Sequence, residues 1–291
     1  MSVEPPVSSP RDLDEAYAVL ADGPAKPIAG GTDLMVALTG ELGEPPDRVI
    51  DLWRLEALRG IAVDGDMVSL GALTTYTEIR RSAVCREHLP VLVETAATIG
   101  AAQIQNRGTL GGNVVNASPA GDTLPVLLAA DASFVLGSSR GERTVPAGEF
   151  WTGYRQTALA ADELLLRIRI PLLAGRELRF RKIGTRRAQS ISKVVLALGW
   201  RDAGPGAPWS DVRLALGSVA PTPIRATATE AALEGRAPTP ETADLAAETL
   251  AGELQPIDDV RSTAAYRLAV SRNLLVQFLD PRLIRVAVPD R

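Results

Sequence analysis

One cysteine and one histidine in 291 residues remove whole classes of chemistry before any motif is sought. Cys85 alone cannot build a disulfide frame, a thiolate metal site or an iron–sulfur cluster, and it reads as a buried or half-buried structural thiol. With His88 the only imidazole, a multi-histidine metal site is impossible and a Ser-His-Asp hydrolase would have to use that residue. His88 lies in Cys85-Arg86-Glu87-His88-Leu89-Pro90, which reads as a loop before a helix and makes it a surface or capping side chain. No metal ligands and no catalytic residues are assigned. Also lacking are a Gly-x-Ser-x-Gly elbow, a Gly-x-x-x-x-Gly-Lys-Ser/Thr loop and a Gly-x-Gly-x-x-Gly fingerprint. The first thirty residues lack the features of a signal peptide and no apolar run approaches membrane-spanning length, so a soluble, cytoplasmic protein with no membrane span is expected. A net charge of −4 argues against nucleic acid as a partner, with a local basic patch from Arg176 to Arg187.

What is present is an apolar share of 46%, enough to bury a substantial core, on a length that suggests two or three structural units. Glycine is placed unevenly. From Arg107 to Pro125 the chain packs glycines among small polar residues, as in Thr109-Leu110-Gly111-Gly112-Asn113. Such a stretch lets a backbone pass where a side chain would collide and leaves N–H groups free to face an anion. A second pair, Gly30-Gly31, lies in Pro27-Ile28-Ala29-Gly30-Gly31-Thr32-Asp33-Leu34, after a short apolar run. Taken alone, that pair reads equally as an ordinary turn. Together, the two segments are expected to close on one dinucleotide.

In chain order, Ser9-Pro10-Arg11-Asp12 offers a cap, a proline at the first helical position and an acidic first turn, with Leu13, Ala16, Tyr17 and Leu20 following at helical spacing. Lys26 to Ala29 reads as a strand entering the Gly30-Gly31 turn, Thr32 as the cap of a helix bearing Leu34, Met35 and Leu38, and Arg48 to Leu52 as a strand completing a small βαβ-like unit. Gly60 to Val63 and Met67 to Leu70 alternate around Asp64-Gly65 as a hairpin. Helices are expected over Thr75 to Arg81, Leu89 to Ile99 and Thr123 to Ala130, the last with Asp122 either as a plain cap or as an acceptor for cofactor hydroxyls. Ala132 to Leu136 pairs with Glu142 to Val145, and Glu163 to Pro171 is a further strand. From Gly175 the pattern changes to three antiparallel strands, Leu178 to Ile183, Ser192 to Trp200 and Val212 to Val219. Helices over Arg225 to Leu233, Pro240 to Ala251 and Val260 to Leu279 complete an α+β unit.

The ordered set Ala29-Gly30-Gly31-Thr32-Asp33, then Thr109 to Asn113 with Ala117-Ser118-Pro119 and Asp122, then Lys182-Ile183-Gly184-Thr185-Arg186-Arg187, then Gly217 to Pro223 with Arg225, spans nearly the whole chain. It resembles the FAD-binding (medium) subunit of the molybdenum hydroxylases, the xanthine dehydrogenase and carbon monoxide dehydrogenase flavoprotein family. The resemblance implies an α+β fold. Its parts are a two-subdomain FAD-binding fold of the vanillyl-alcohol-oxidase (PCMH) type over residues 1–55 and 56–174, and a C-terminal domain of antiparallel sheet plus helices over residues 175–291. It implies that Pro27, Ile28, Ala29, Gly30, Gly31, Thr32, Asp33 and Leu34, with Thr109, Leu110, Gly111, Gly112 and Asn113, wrap the pyrophosphate and adjoining sugar. Asp122 would hold polar groups of the cofactor, Ile99 would give apolar contact, Leu165 would lie against the flavin ring and Lys182 would reach the cofactor. A cation there would stabilise the charge of a reduced flavin, whereas by its residues alone Lys182 reads as part of a solvated basic edge. Gln189 and Ser190 stand where members that use NAD carry acidic residues.

The resemblance also implies a division of labour. A large molybdopterin subunit oxidises substrate, an iron–sulfur small subunit with [2Fe-2S] clusters relays electrons, and FAD on this chain passes them to NAD, oxygen or another acceptor. Two other readings stay open at this point: a free-standing FAD-dependent oxidase or reductase, and a non-catalytic nucleotide-binding scaffold.

Overall fold

Two short parallel strands with a helix between them open the chain, and a third strand, not expected from the sequence, joins them. In the computed structural model, which describes residues 5–40, 44–173, 175–186 and 189–279, Val7–Ser8, Val49–Asp51 and Lys26–Ile28 form a parallel sheet in that order. The helix Leu13–Ala21 buries Ala16 and Leu20. It starts later than the Ser9-Pro10 signal indicated, because Asp12 is extended and its carboxylate accepts the Glu15 N–H at 2.9 Å, which caps the helix and leaves Pro10 outside. Thr32 likewise does not cap: the next helix is Leu34–Thr39, with Asp33 at its N-cap and no side-chain cap bond.

A five-stranded antiparallel sheet follows, in the order Ile61–Asp64, Met67–Gly71, Leu164–Pro171, Ser133–Ser138, Gly141–Pro146. The Asp64-Gly65 hairpin and the pairing of residues 132–136 with 142–145 are as their alternation required. Beside the sheet lie helices Tyr76–Arg81, with a Thr75/Glu78 capping box, and Pro90–Ala97, with proline at its start. The Cys85–His88 loop is instead a helix, Ala83–His88, where Ser82 accepts the Cys85 N–H at 3.2 Å and the Cys85 side chain is fully buried. A helix Ala102–Arg107 leads into the glycine-rich segment, part of which is itself helical, as Leu110–Asn116. These residues, up to Asn116 and with Ala132–Thr152 and Gln156–Leu172, form one compact unit.

The second unit comprises Ala117–Asp131, Gly153–Arg155 and the chain from Leu173. Its antiparallel sheet runs Glu177–Gly184, Ser192–Arg201, Ser210–Gly217, Ile224–Arg225. The fourth strand was not expected: Arg225 pairs with Ala215, so the helix predicted from Arg225 begins at Thr227. Val194, Leu196, Leu198, Leu214 and Leu216 meet Leu250, Leu275 and Phe278 of the helices Pro240–Glu253 and Ala264–Leu279 in one core. Arg187, part of the expected basic motif, lies outside the described residues.

The helix Thr123–Ala129 lies against the strands Ser192–Arg201 and Ser210–Gly217 of this C-terminal sheet, and all seven of its residues are buried. Gly217 lets it approach, since a Cβ there would sit 3.0 Å from Pro125 Cγ. Its far end is tied by Asp131, which accepts from Arg176 and Arg213 at 3.0 Å and from Arg225 at 3.2 Å. Burial of Leu124, Val126 and Leu127 is worth about 1.5–3 kcal/mol each. A fragment of residues 175–291 is therefore expected to bind a hydrophobic dye and to lack a cooperative thermal transition, whereas the full chain melts cooperatively.

Candidate functional site

Gly30 is placed where no side chain fits. A Cβ on it would lie 1.8 Å from the Arg107 carbonyl oxygen and 3.1 Å from the Gly108 nitrogen, so the first glycine turn is pressed against the entry to the second glycine segment. The two segments, nearly eighty residues apart in sequence, meet as expected. Gly31 completes the turn with φ +76°, and its carbonyl accepts the Met35 N–H at 2.9 Å.

The two segments use their amides differently. In the second, the N–H groups of Leu110 and Gly111 donate to the Thr74 and Ala72 carbonyls at 2.9 and 3.0 Å, and those of Gly112 and Asn113 to Thr109 Oγ1 and the Thr109 carbonyl at 3.0 and 3.1 Å. The expectation that this stretch leaves its amides facing an anion is thereby corrected, because they anchor the helix Leu110–Asn116 instead. In the first, the amides of Gly30, Gly31, Thr32, Asp33 and Leu34 have no hydrogen-bond partner among the described residues. Successive unpaired amides around a positive-φ glycine make an anion-binding concavity. Met35 and Val36, 48% and 58% exposed, add an apolar surface beside it.

Leu165 is buried on the strand Leu164–Pro171, at a register shift between Leu165 and Arg167. The intervening Leu166 carbonyl accepts the Ala72 N–H at 2.9 Å, and Ala72 in turn holds Gly111 so tightly that a Cβ there would lie 2.5 Å from its carbonyl oxygen. Leu166, the neighbour of Leu165, is thus linked to the second glycine segment through two hydrogen bonds. Ile99 is half-buried, with its carbonyl accepting from Gln105 Nε2 at 3.0 Å. Pro27 and Asp33 are exposed, and Ile28, Ala29, Thr32 and Leu34 are half-buried.

Asp122 and Lys182 belong to the second unit and lie on each other. Lys182 Nζ donates to Asp122 Oδ2 at 2.5 Å, with side chains 10% and 8% exposed, and Ser192 Oγ donates to Asp122 Oδ1. Burial pushes the Asp122 carboxyl up from its ordinary value, against the pull of Lys182 and Ser192. Of the two readings of Asp122, the plain cap is absent, since its side chain makes no cap bond. Lys182 is not on a solvated edge. Ser192 was not singled out from the sequence, although a hydroxyl just ahead of the apolar run from Val194 to Leu198 was the available signal.

Residues 2–173 match the FAD binding domain in molybdopterin dehydrogenase, and residues 179–281 the CO dehydrogenase flavoprotein C-terminal domain. The chain belongs to this family of molybdenum hydroxylase flavoprotein subunits. It is 32% identical over 282 residues to the carbon monoxide dehydrogenase medium chain of Hydrogenophaga pseudoflava, covering 96% of this chain and 97% of that one. It is 33% identical over 285 residues to the xanthine dehydrogenase FAD-binding subunit of Escherichia coli O157:H7, covering 95% and 93%. Its fold is similar to that in a solved carbon monoxide dehydrogenase from Hydrogenophaga pseudoflava lacking the Mo-pyranopterin moiety, with a TM-score of 0.90 and 33% identity over 95% of this chain and 96% of that one.

Gly30→Ala forces a backbone shift and is expected to cost about 2 kcal/mol or more in urea unfolding, whereas Gly148→Ala, with open space around its Cβ, stays within about 0.5 kcal/mol. Lys182→Met strands a buried carboxylate and should cost about 3–5 kcal/mol. In the double variant with Asp122→Asn the loss should fall below the sum of the two single losses, as read by a denaturation cycle.

Proposed function

We propose that this chain is the FAD-binding electron-transfer subunit of a molybdopterin-dependent dehydrogenase or hydroxylase. The carrying observation is the junction of Gly30 with Arg107 and Gly108, which presents the five unpaired amides of Gly30–Leu34 at one turn. Unpaired amides at a tight turn fit a diphosphate, and the adjoining exposed Met35 and Val36 fit an apolar portion of the same molecule. FAD, when bound, supplies the redox chemistry, exchanging electrons with carriers singly or in pairs.

The chain's own residues do the holding. Gly30 to Leu34 donate to phosphate oxygens, with Pro27, Ile28 and Ala29 setting the approach of the strand. Thr109 to Asn113 act through the rigidity of their helix start and the shape of Gly111 and Gly112. Ile99 and Leu165 exclude water from apolar surface. Asp122 and Lys182 act as a pair in which the carboxylate fixes the ammonium, so the cation assigned to the flavin is pre-oriented. In functional terms, residues 1–55 and 56–174 are the flavin-binding subdomains and 175–291 the C-terminal domain.

The partners in this reading are an iron–sulfur small subunit, which delivers electrons from [2Fe-2S] clusters, and a molybdopterin large subunit, which oxidises the substrate. The acceptor is NAD, oxygen or another carrier. Two relatives are named for carbon monoxide and for xanthine, compounds with little chemistry in common, which supports placing substrate choice on another polypeptide. The setting is cytoplasmic, in keeping with the one buried, unpaired thiol. Among the described residues no helix is long and apolar enough to cross a membrane.

The test is the visible spectrum of the purified chain. A yellow protein that releases FAD on denaturation, and is reduced by substrate only when both partners are added, is the expected result. Turnover by the isolated chain would indicate a free-standing flavoenzyme, and a colourless protein without affinity for FAD would indicate a scaffold; either would overturn the proposal.

A further inference from the structure

Backbone amides give a diphosphate directional donors but no full positive charge, and the same edge of the parallel sheet carries one. The strands Lys26–Ile28 and Val49–Asp51 end side by side, with Ile28 paired to Asp51 and the Leu52 N–H donating to the Ile28 carbonyl at 3.0 Å. One strand continues into the Gly30 turn and the other into Trp53. In parallel α/β sheets, ligands bind outside the carboxyl ends of the strands. Trp53 is fixed there: its N–H donates to Asp51 Oδ1 at 2.9 Å, its carbonyl accepts from Arg59 Nη2 at 2.5 Å, and the Arg59 guanidinium lies 4.7 Å from its ring centroid.

Arg107 reaches this edge from the helix Ala102–Arg107. Its backbone carbonyl is the atom that bars a side chain at Gly30, and its guanidinium carbon lies 3.8 Å from the Trp53 ring centroid. A single residue therefore touches the anion-binding turn with its main chain and the neighbouring aromatic ring with its charge. The side chain is exposed, and its N–H groups have no acceptor among the described residues. By contrast, Arg59 on the same ring has Glu56 at 3.7 Å. A guanidinium carried over a ring still has N–H donors for an oxyanion, and holding the group against the ring reduces the rotamer freedom lost when it binds one.

We propose that Arg107, held over the Trp53 ring, is a further ligand of the diphosphate and donates its guanidinium N–H groups to phosphate oxygens. This rests on the FAD reading above. Charge-assisted bonds of this type are shorter and stronger than neutral ones, and at an exposed site their strength falls with salt.

The experiment titrates flavin-free full-length chain with FAD, followed by flavin fluorescence at low and at raised sodium chloride, for the wild type, Arg107→Gln and Arg107→Lys. Arg107→Gln is expected to raise the Kd for FAD about tenfold and to flatten its dependence on salt, while keeping the wild-type circular dichroism and melting temperature. Arg107→Lys keeps the charge but not the planar fork, so its Kd should fall between the two, with a salt dependence close to wild type. Should Arg107→Gln fail to fold, the lysine variant decides: a wild-type Kd for it would overturn the proposal. So would a wild-type Kd in Arg107→Gln, or a raised Kd with unchanged salt dependence, which would mark the stack as a brace for the turn. Failure of the wild-type chain to bind FAD would instead strike the functional reading on which the proposal stands.

Discussion

The absence of one side chain organises the first unit. At Gly30 the backbone lies so close to the Arg107 carbonyl that any Cβ would overlap it, and this contact joins a three-stranded parallel sheet to a helical segment far along the sequence. The contact fixes where the Gly31 turn points and keeps its neighbouring amides from closing onto their own chain. Polar groups left this way are costly in apolar surroundings and inexpensive where water or a ligand reaches them. Ile28 to Leu34 are half-buried except for Asp33, which is exposed.

The two glycine segments show that similar composition serves unlike physical ends. Gly111 is glycine because Ala72 is in the way, and its amide is used to fasten a helix. Gly31 is glycine because its φ is positive, and the amides around it are left over. One segment fastens a helix and the other leaves its amides without partners among the described residues, a distinction that appears only when the destination of each N–H is followed.

Much of the architecture was legible in the residues. The Asp64-Gly65 hairpin, the antiparallel pair of residues 132–136 with 142–145 and three of the four C-terminal strands follow from period-two alternation and turn chemistry, whereas the strands that Leu164–Pro171 joins do not. Strands of two residues, Val7–Ser8 and Ile224–Arg225, were missed because they are too short to carry a period and exist only through their partners. The helices Ala83–His88 and Leu110–Asn116 were missed because six or seven residues with a buried thiol, or with paired glycines, have weak helical propensity that tertiary contacts override. At the site, the meeting of Gly30 with the second glycine segment was foreseeable from composition. The bond from Ser192 to Asp122 was not, since a single hydroxyl leaves no pattern, and the stack of Arg107 on Trp53 depends on strand order, which spacing does not reveal.

Covalent order and packing order disagree around Thr123–Ala129. Its residues fall within the stretch matched by the flavin-binding domain, yet they lie on the C-terminal sheet, held at one end through Asp122 and at the other through Asp131. Recombination between members of this family is therefore constrained in a way that linear domain limits conceal. A crossover near residue 175 leaves one parent's helix on the other parent's sheet, so exchangeable modules must carry this inserted piece with the distant strands it serves.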